Sequence, residues 1–240
     1  MNQVIDTLLS HRSIRKFSDE PISTEQLAKI LDCARAASSS SFIQCTSVIR
    51  ITDSNKRAKL ASLAGNQAYV EEAAEFLVWC ADFNRHLAIK PDARVGYTEQ
   101  TLIGAVDTAL MAQNAMVAAE SMGLGGVYIG GIRNNPDKVS ELLELPQQVV
   151  PLFGMCLGYP AQNPEIKPRL PVSILLHTDS YQELDTIELA DYDRDVREYY
   201  LTRTGGNKDM SWSEQIGETL SKEARPFMKT FLKSKGFNIL

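Results

Sequence analysis

Apolar residues recur at helical spacing in the first third of the chain and at strand spacing between the helices. Residues 2–10 place Val4, Ile5, Leu8 and Leu9 on a short helix. Ser23 followed by Gln26 forms a capping-box pattern. It opens a predicted helix over 24–37, with Leu27, Ile30, Leu31 and Ala34 on one face. Residues 47–53 read as a strand, 54–63 as a helix, and 65–69 as a turn before a short helix rich in Glu and Ala. The run 76–81 is apolar throughout, as in a central strand covered on both faces. Residues 98–122 give the strongest helical pattern. Ala105, Ala109, Ala112, Ala115, Ala118 and Ala119 form a small-residue side, flanked by Leu102, Val106, Leu110 and Val117. So little charge predicts burial nearly all round, either in a core or against a second subunit. Glycines close this helix at 123–126. A strand over 127–129, a helix over 134–143 and a buried strand over 149–158 follow.

Beyond residue 172 the pattern turns polar. Residues 187–200 read as a helix anchored by Tyr192, Tyr199 and Tyr200, 203–208 as a flexible cationic loop, 211–225 as a polar helix, and 227–232 as a last short one. These residues lack a continuous core of their own. They predict a C-terminal extension (172–240, with a mobile loop 203–210) of a single domain, wrapping the main body or a partner subunit.

Composition narrows the class. The 240 residues are 44% hydrophobic and 23% charged, ordinary for a globular chain. The net charge of -5 argues against a generic nucleic-acid binder. No apolar run reaches the ~18 residues of a membrane span, and the N-terminus lacks a signal-peptide pattern. Four scattered cysteines without a C-x-x-C, and three distant histidines (His11, His86, His177), fit neither a metal site nor a disulfide framework. A cytoplasmic protein with reduced thiols is expected.

Four stretches carry candidate chemistry. Ser38, Ser39, Ser40 and Ser41, followed by Phe42 and Gln44, have too many adjacent hydroxyls to be buried together. They read as a connector or as a loop offering donors to a ligand. Among His11, Arg12, Ser13, Ile14 and Arg15, extended backbone points Arg12 and Ile14 one way and the other three the opposite way. Arginine suits phosphate, although a solvated basic turn has the same composition. The glycines around 123–131 are not a dinucleotide fingerprint. They follow a helix and open a strand, the reverse order, and Tyr128 stands where the third glycine belongs. Gly130 and Gly131 end that strand, as a tight turn or as bare backbone for a flat ligand. Finally, Pro160, Pro164, Pro168 and Pro171 stiffen a loop holding Lys167 and Arg169, which is either solvated or set for an anion.

Together the segments 11–15, 38–44, 123–131 and 167–169 resemble the nitroreductase-superfamily flavoproteins, in particular their NADPH-dependent nitroreductase and NADPH–FMN oxidoreductase group. The likeness runs from residue 3 to 236. It implies an α+β nitroreductase-like fold, a central mixed sheet flanked by helices, in an intertwined homodimer with a helical C-terminal excursion and FMN at the interface. By motif match, His11, Arg12, Ser13 and Arg15 with Lys167 and Arg169 would surround the FMN phosphate, ribityl chain and pyrimidine end. Ser38, Ser39, Ser40, Gln67 and Tyr69 would hold the ribityl chain and ring edge, and Tyr128, Ile129, Gly130 and Gly131 would line the isoalloxazine. Arg203, supported by Lys208, would meet NADPH, with Ser41, Phe42 and Arg225 bordering the open flavin face. The implied reaction is a ping-pong, two-electron hydride transfer from NADPH to nitroaromatics, quinones, azo compounds or free flavin, with no side-chain acid or base and no metal. The alternative is a flavin reductase handing reduced FMN to a partner such as a luciferase.

Overall fold

The computed structural model describes residues 2–237 and places a four-stranded sheet between two layers of helices. In chain order the elements are α1 (Gln3–Leu9), α2 (Thr24–Arg35), β1 (Thr46–Arg50), α3 (Ser54–Leu63), α4 (Tyr69–Glu72), β2 (Glu75–Asp82), α5 (Asn84–Ile89) and α6 (Thr98–Ser121). Then come β3 (Gly125–Ile129), α7 (Pro136–Leu142), β4 (Val149–Gly158), α8 (Val172–Leu175), α9 (Thr186–Thr204), α10 (Trp212–Leu220) and α11 (Met228–Ser234). The strand order is β1-β2-β4-β3. Every strand pair among the described residues is antiparallel, where the resemblance implied a mixed sheet.

The α+β class follows from how β2 is used. Its side chains alternate between two cores, as the two-residue period of a strand requires. Phe76, Val78 and Cys80 join Leu60 and Ala61 of α3 and Val139 of α7. Leu77 and Trp79 join Leu27 and Ile30 of α2 and Ala112, Ala115 and Ala119 of α6. The Ser23–Gln26 capping box forms as the sequence predicts and opens α2. The alanines let α2 and α6 pack closely on the sheet.

The far side of α6 is different. Leu102 (59% exposed), Val106 and Leu110 face outward, so burial nearly all round is not what the single chain gives. Among the described residues α6 is the one helix long and apolar enough to cross a membrane by length and composition. Its sheet-facing side lies in the core, and it carries the buried carboxylate of Asp107.

The chain divides into two compact units, Met1–Asn163 with Arg225–Leu240, and Pro164–Ala224. In the first, Phe231 of α11 and Phe237 just beyond it join a core with Phe83. The second is built on α9 and α10, with Tyr192, Val196 and Tyr199 buried. Its α9 runs to Thr204 and ends on Gly205 in the left-handed conformation. Arg203 therefore lies in the last helical turn and not in a loop. The helix expected over 211–225 stops at Leu220.

Candidate active site

The N-terminal basic motif is laid beside the glycine turn that follows α6. The Ile14 N–H donates to the Gly126 carbonyl at 2.9 Å, and Ser18 N–H to that of Tyr159. Alternation in this extended stretch has the expected result. Ile14 is buried, and Arg12 shares with it a pocket of about 210 Å³ that also takes in Ser10, Glu120 and Gly125. Arg12 Nη2 donates to Asn163 Oδ1 at 2.6 Å and Nη1 to the Ser10 carbonyl, while its Nε is buried without a partner. His11 Nδ1 lies 2.6 Å from Glu120 Oε1 at the end of α6. Arg15 is exposed, and its guanidinium has no hydrogen bond or ion pair among the described residues.

A second cleft, about 560 Å³, opens over the β3–β4 side of the sheet, walled by Ala109, Leu110, Tyr128, Phe153, Gly130 and Arg133. Tyr128 meets Phe153 edge-on with ring centroids 5.4 Å apart, a favoured aromatic geometry. Its hydroxyl donates to Gln113 Oε1 at 3.2 Å. Burial, with the charge of Glu120 adding, pushes the Tyr128 phenol well up, so it stays a neutral donor.

The two glycines at the cleft have different reasons. A Cβ on Gly131 would sit 2.2 Å from the Ala64 carbonyl oxygen, so the chain itself requires glycine there. A Cβ on Gly130 would meet nothing nearer than Arg133 Nη2 at 3.7 Å. Gly130 leaves space in the cleft that any side chain would fill. Gln67 lies against Gly131, donates to the Ala64 carbonyl at 2.9 Å, and accepts from the Tyr69 hydroxyl at 2.8 Å. Arg225 joins the same corner. It donates through Nε and Nη2 to Asn134 Oδ1 at 3.0 and 2.8 Å, and through Nη2 to the Gly130 carbonyl at 3.3 Å. Burial, and secondarily the charge of Arg225, lowers the Arg133 guanidinium from its ordinary value.

The serine run forms a structured loop. Ser40–Phe42 make a single 3-10 turn, and Ser41, Phe42 and Gln44 all have positive φ (48°, 57° and 54°). Each such residue costs roughly 1–2 kcal/mol of backbone strain. Ser39 Oγ donates to the buried carboxylate of Asp107 and accepts the Gln44 N–H. Ser39 is thus committed inside the chain, where a contact to the ribityl chain was expected. Ser38 and Ser39 line their own pocket, about 190 Å³, with Arg85, Asp107 and Met111. Phe42 is 80% exposed. Within one chain the serine loop and the Tyr128–Gly130 cleft line different pockets.

In the second unit the cations gather on tyrosines. Lys167 Nζ donates to the Tyr200 hydroxyl at 2.7 Å, which donates on to Gln215 Oε1 at 3.0 Å. Lys208 Nζ donates to the same Gln215 oxygen at 2.8 Å. Arg203 bonds the Tyr199 hydroxyl and lies over that ring. Arg169 donates to the Lys167 carbonyl.

Several participants escaped the sequence reading. Asp107 had a signal: it is the one charged residue between Glu99 and Glu120, which lie at the two ends of α6. Gln113, Asn134, Phe153 and Gln215 had none, since each matters only through a partner distant in sequence. The Tyr128 cleft fits a flat aromatic molecule, with an aromatic floor and a glycine-cleared edge of backbone groups. Arg15, which lines no part of that cleft, is a cation without a partner among the described residues. Among the described residues no group of His, Cys, Asp and Glu is placed to hold a metal.

The chain was compared with known proteins. The model of the nitroreductase family matches residues 8–159, and that of the nitroreductase family C-terminal domain matches 167–239. The chain is 56% identical over 237 residues, 99% of each chain, to an oxygen-insensitive NADPH nitroreductase of Salmonella typhimurium. It is 54% identical, over 98% of each, to an NADPH-flavin oxidoreductase of Vibrio harveyi. The solved structure of the Vibrio harveyi NADPH:FMN oxidoreductase complexed with NAD+ superposes with a TM-score of 0.93 at 53% identity, covering 98% of both chains. Nitroreductase A of Vibrio parahaemolyticus gives 0.94, also at 53% and over 98% of both.

Proposed function

The chain belongs to the nitroreductase family, and on that premise we propose that it is an FMN-dependent NADPH oxidoreductase reducing nitroaromatic compounds, and also quinones, azo compounds or free flavin. The observation that carries this reading beyond the family is the Tyr128–Phe153 cleft with its edge cleared at Gly130. FMN, when bound, supplies a two-electron relay from NADPH to the acceptor in ping-pong order.

This chain's residues supply position and charge. Tyr128, Ile129, Gly130 and Gly131 line the place of the isoalloxazine, with Gln67 and Tyr69 at its edge. Arg225, by holding the Gly130 carbonyl, fixes which backbone groups of the turn face the cleft. His11, Arg12, Ser13 and Arg15 are proposed for the phosphate and pyrimidine end, and Lys167 and Arg169 as cofactor-binding cations. A cation beside the pyrimidine edge stabilises negative charge developing there. Arg203 and Lys208 are proposed for NADPH, Lys208 as the weaker partner because an ammonium lacks the bidentate fork. Ser38 and Ser40 complete the cofactor set, and Ser41 and Phe42 border the open face.

A homodimer is part of the proposal. The outward face of α6 carries Leu102, Val106 and Leu110, and α1 exposes Val4, Ile5, Leu8 and Leu9. Exposed apolar faces of this extent mark an interaction surface. Two copies joined through them give each cleft a second subunit's residues. The enzyme is read as cytoplasmic.

The test is an absorption spectrum of the purified protein, then its bleaching by NADPH and by NADH under nitrogen. Flavin bands that bleach far faster with NADPH are expected. Equal rates would remove Arg203 and Lys208 as the NADPH site. A colourless protein that FMN cannot reconstitute would overturn the function. A second reading is a flavin reductase that hands reduced FMN to a partner protein such as a luciferase; likeness to the Vibrio harveyi NADPH-flavin oxidoreductase supports the flavin-reducing half of it. Turnover with nitrofurazone and no added flavin would decide for the first.

A further inference from the structure

We infer that Asp107 is a positioning residue for substrate recognition: it fixes the serine loop so that the Phe42 ring stands out as a stacking surface for flat substrates. The inference rests on the function proposed above and adds a residue that the reading does not contain.

Asp107 is 5% exposed, and no Lys, Arg or His among the described residues forms an ion pair with it. A buried carboxylate needs hydrogen bonds, and the serine loop provides them. Ser39 Oγ donates at 2.8 Å, and the Ser40 N–H lies 3.2 Å from both oxygens. Cys45 Sγ adds a weak donor at 3.8 Å. Burial, with the charge of Asp107 second, pushes the Cys45 thiol up to about 12, so it keeps its proton.

The loop is closed from its other end as well. The Gln44 N–H returns to Ser39 Oγ at 2.7 Å, the Ile43 carbonyl meets His86 Nε2 at 2.7 Å, and the Gln44 carbonyl accepts from Arg85. Between these anchors sit Ser41 and Phe42, both left-handed. Strain of this kind persists only where the surroundings over-determine it, and it gathers at ligand clamps. Phe42 takes no packing benefit from its position, being 80% exposed. An aromatic ring held rigidly outward in strained backbone loses little entropy when a flat molecule stacks on it.

The test measures KM and kcat for nitrofurazone at saturating NADPH in Ser39→Ala and Asp107→Asn, each also combined with Phe42→Leu. With FMN supplied in excess, KM in the wild-type background is expected to rise about fivefold in each variant while kcat stays level. In the Phe42→Leu background the same changes are expected to move KM less than about twofold, because the group they position is gone. An unchanged KM in the single variants overturns the inference. So does an equal rise with and without Phe42, which would place the effect elsewhere. Should Asp107→Asn not fold, Ser39→Ala, which keeps the carboxylate, carries the test alone. A wild-type protein without flavin or NADPH oxidation would fail the functional reading itself, which is a different result from either.

Discussion

The Lys208 ammonium lies 3.6 Å from the centre of the Tyr200 ring, while Lys167 donates to the hydroxyl of the same tyrosine at 2.7 Å. A residue proposed for FMN and one proposed for NADPH are thus held by one side chain. Burial alone would raise the Tyr200 phenol. The bond from Lys167 and the charges of Lys167 and Lys208 outweigh it and hold the phenol below its ordinary value. Tyr200→Phe keeps the ring under Lys208 and removes the anchor of Lys167. Flavin affinity should fall by about tenfold, the lower end of what one charge-assisted hydrogen bond is worth, with KM for NADPH changing little. Tyr200→Leu should raise KM for NADPH as well, by about two- to fivefold, the worth of an exposed cation–π contact. Fluorescence titration of FMN and steady-state kinetics read both. Equal effects of the two substitutions would contradict this division of labour.

Gly130 and Gly131 should respond in opposite ways. Gly131→Ala drives a Cβ to 2.2 Å from the Ala64 carbonyl. Overpacking against backbone should cost about 1–3 kcal/mol and lower the thermal midpoint. Gly130→Ala meets only Arg133 Nη2 at 3.7 Å, so stability should hold while the narrowed cleft loses flavin affinity. Differential scanning calorimetry of both apoproteins, with flavin titrations beside it, checks the pair. A destabilised Gly130→Ala of normal flavin affinity would mean that its space belongs to the fold and not to a ligand.

The sequence was most legible where one segment's own pattern decides its structure. The α3 boundaries, the extent of β4 and the Ser23 cap all follow from local spacing. Legibility failed where a distant partner decides. The serines at 38–41 read as a connector or as a loop offering donors to a ligand, and neither reading shows that Ser39 bonds Asp107, 68 residues away. Gly131 read as either a tight turn or bare backbone for a ligand, and the close approach of the Ala64 carbonyl, 67 positions away in sequence, is what requires it. Polar composition at 203–208 suggested a loop from Arg203 onward. Helix α9 runs one residue past Arg203, because Thr204 Oγ1 can return to the Tyr200 carbonyl and accept the Lys208 N–H. Periodicity likewise could not tell an inward from an outward apolar face on α6.

Acid should loosen the second unit before the sheet. The Glu214 carboxyl is held below its ordinary 4.5, first by the Ser211 backbone N–H and then by Arg197. A carboxylate with a depressed folded value stabilises fully above its unfolded value, and that contribution is lost as pH falls through the folded one. Trp212, edge-on to Tyr192 at 6.0 Å, reports on this packing. Its emission should shift as pH drops below 4.5 and do so at higher pH in Glu214→Ala, where the capping box and the Arg197 bridge are both gone. Identical acid transitions in the two proteins would remove Glu214 as the cause.

The outward face of α6 gives the last prediction. Leu102, Val106 and Leu110 follow one another at helical spacing on that face, and Leu110 also walls the Tyr128 cleft. If two copies meet there, dimerisation and flavin binding share a surface. Val106→Glu places a charge in the centre of that apolar strip. Burying it unpaired costs several kcal/mol, enough to push a micromolar protein toward monomer. Sedimentation velocity should show a halved mass and the absorption spectrum a loss of bound flavin, with far-ultraviolet circular dichroism unchanged, since Val106 is already exposed in the single chain. A Val106→Glu protein that stays dimeric and yellow would move the interface off α6.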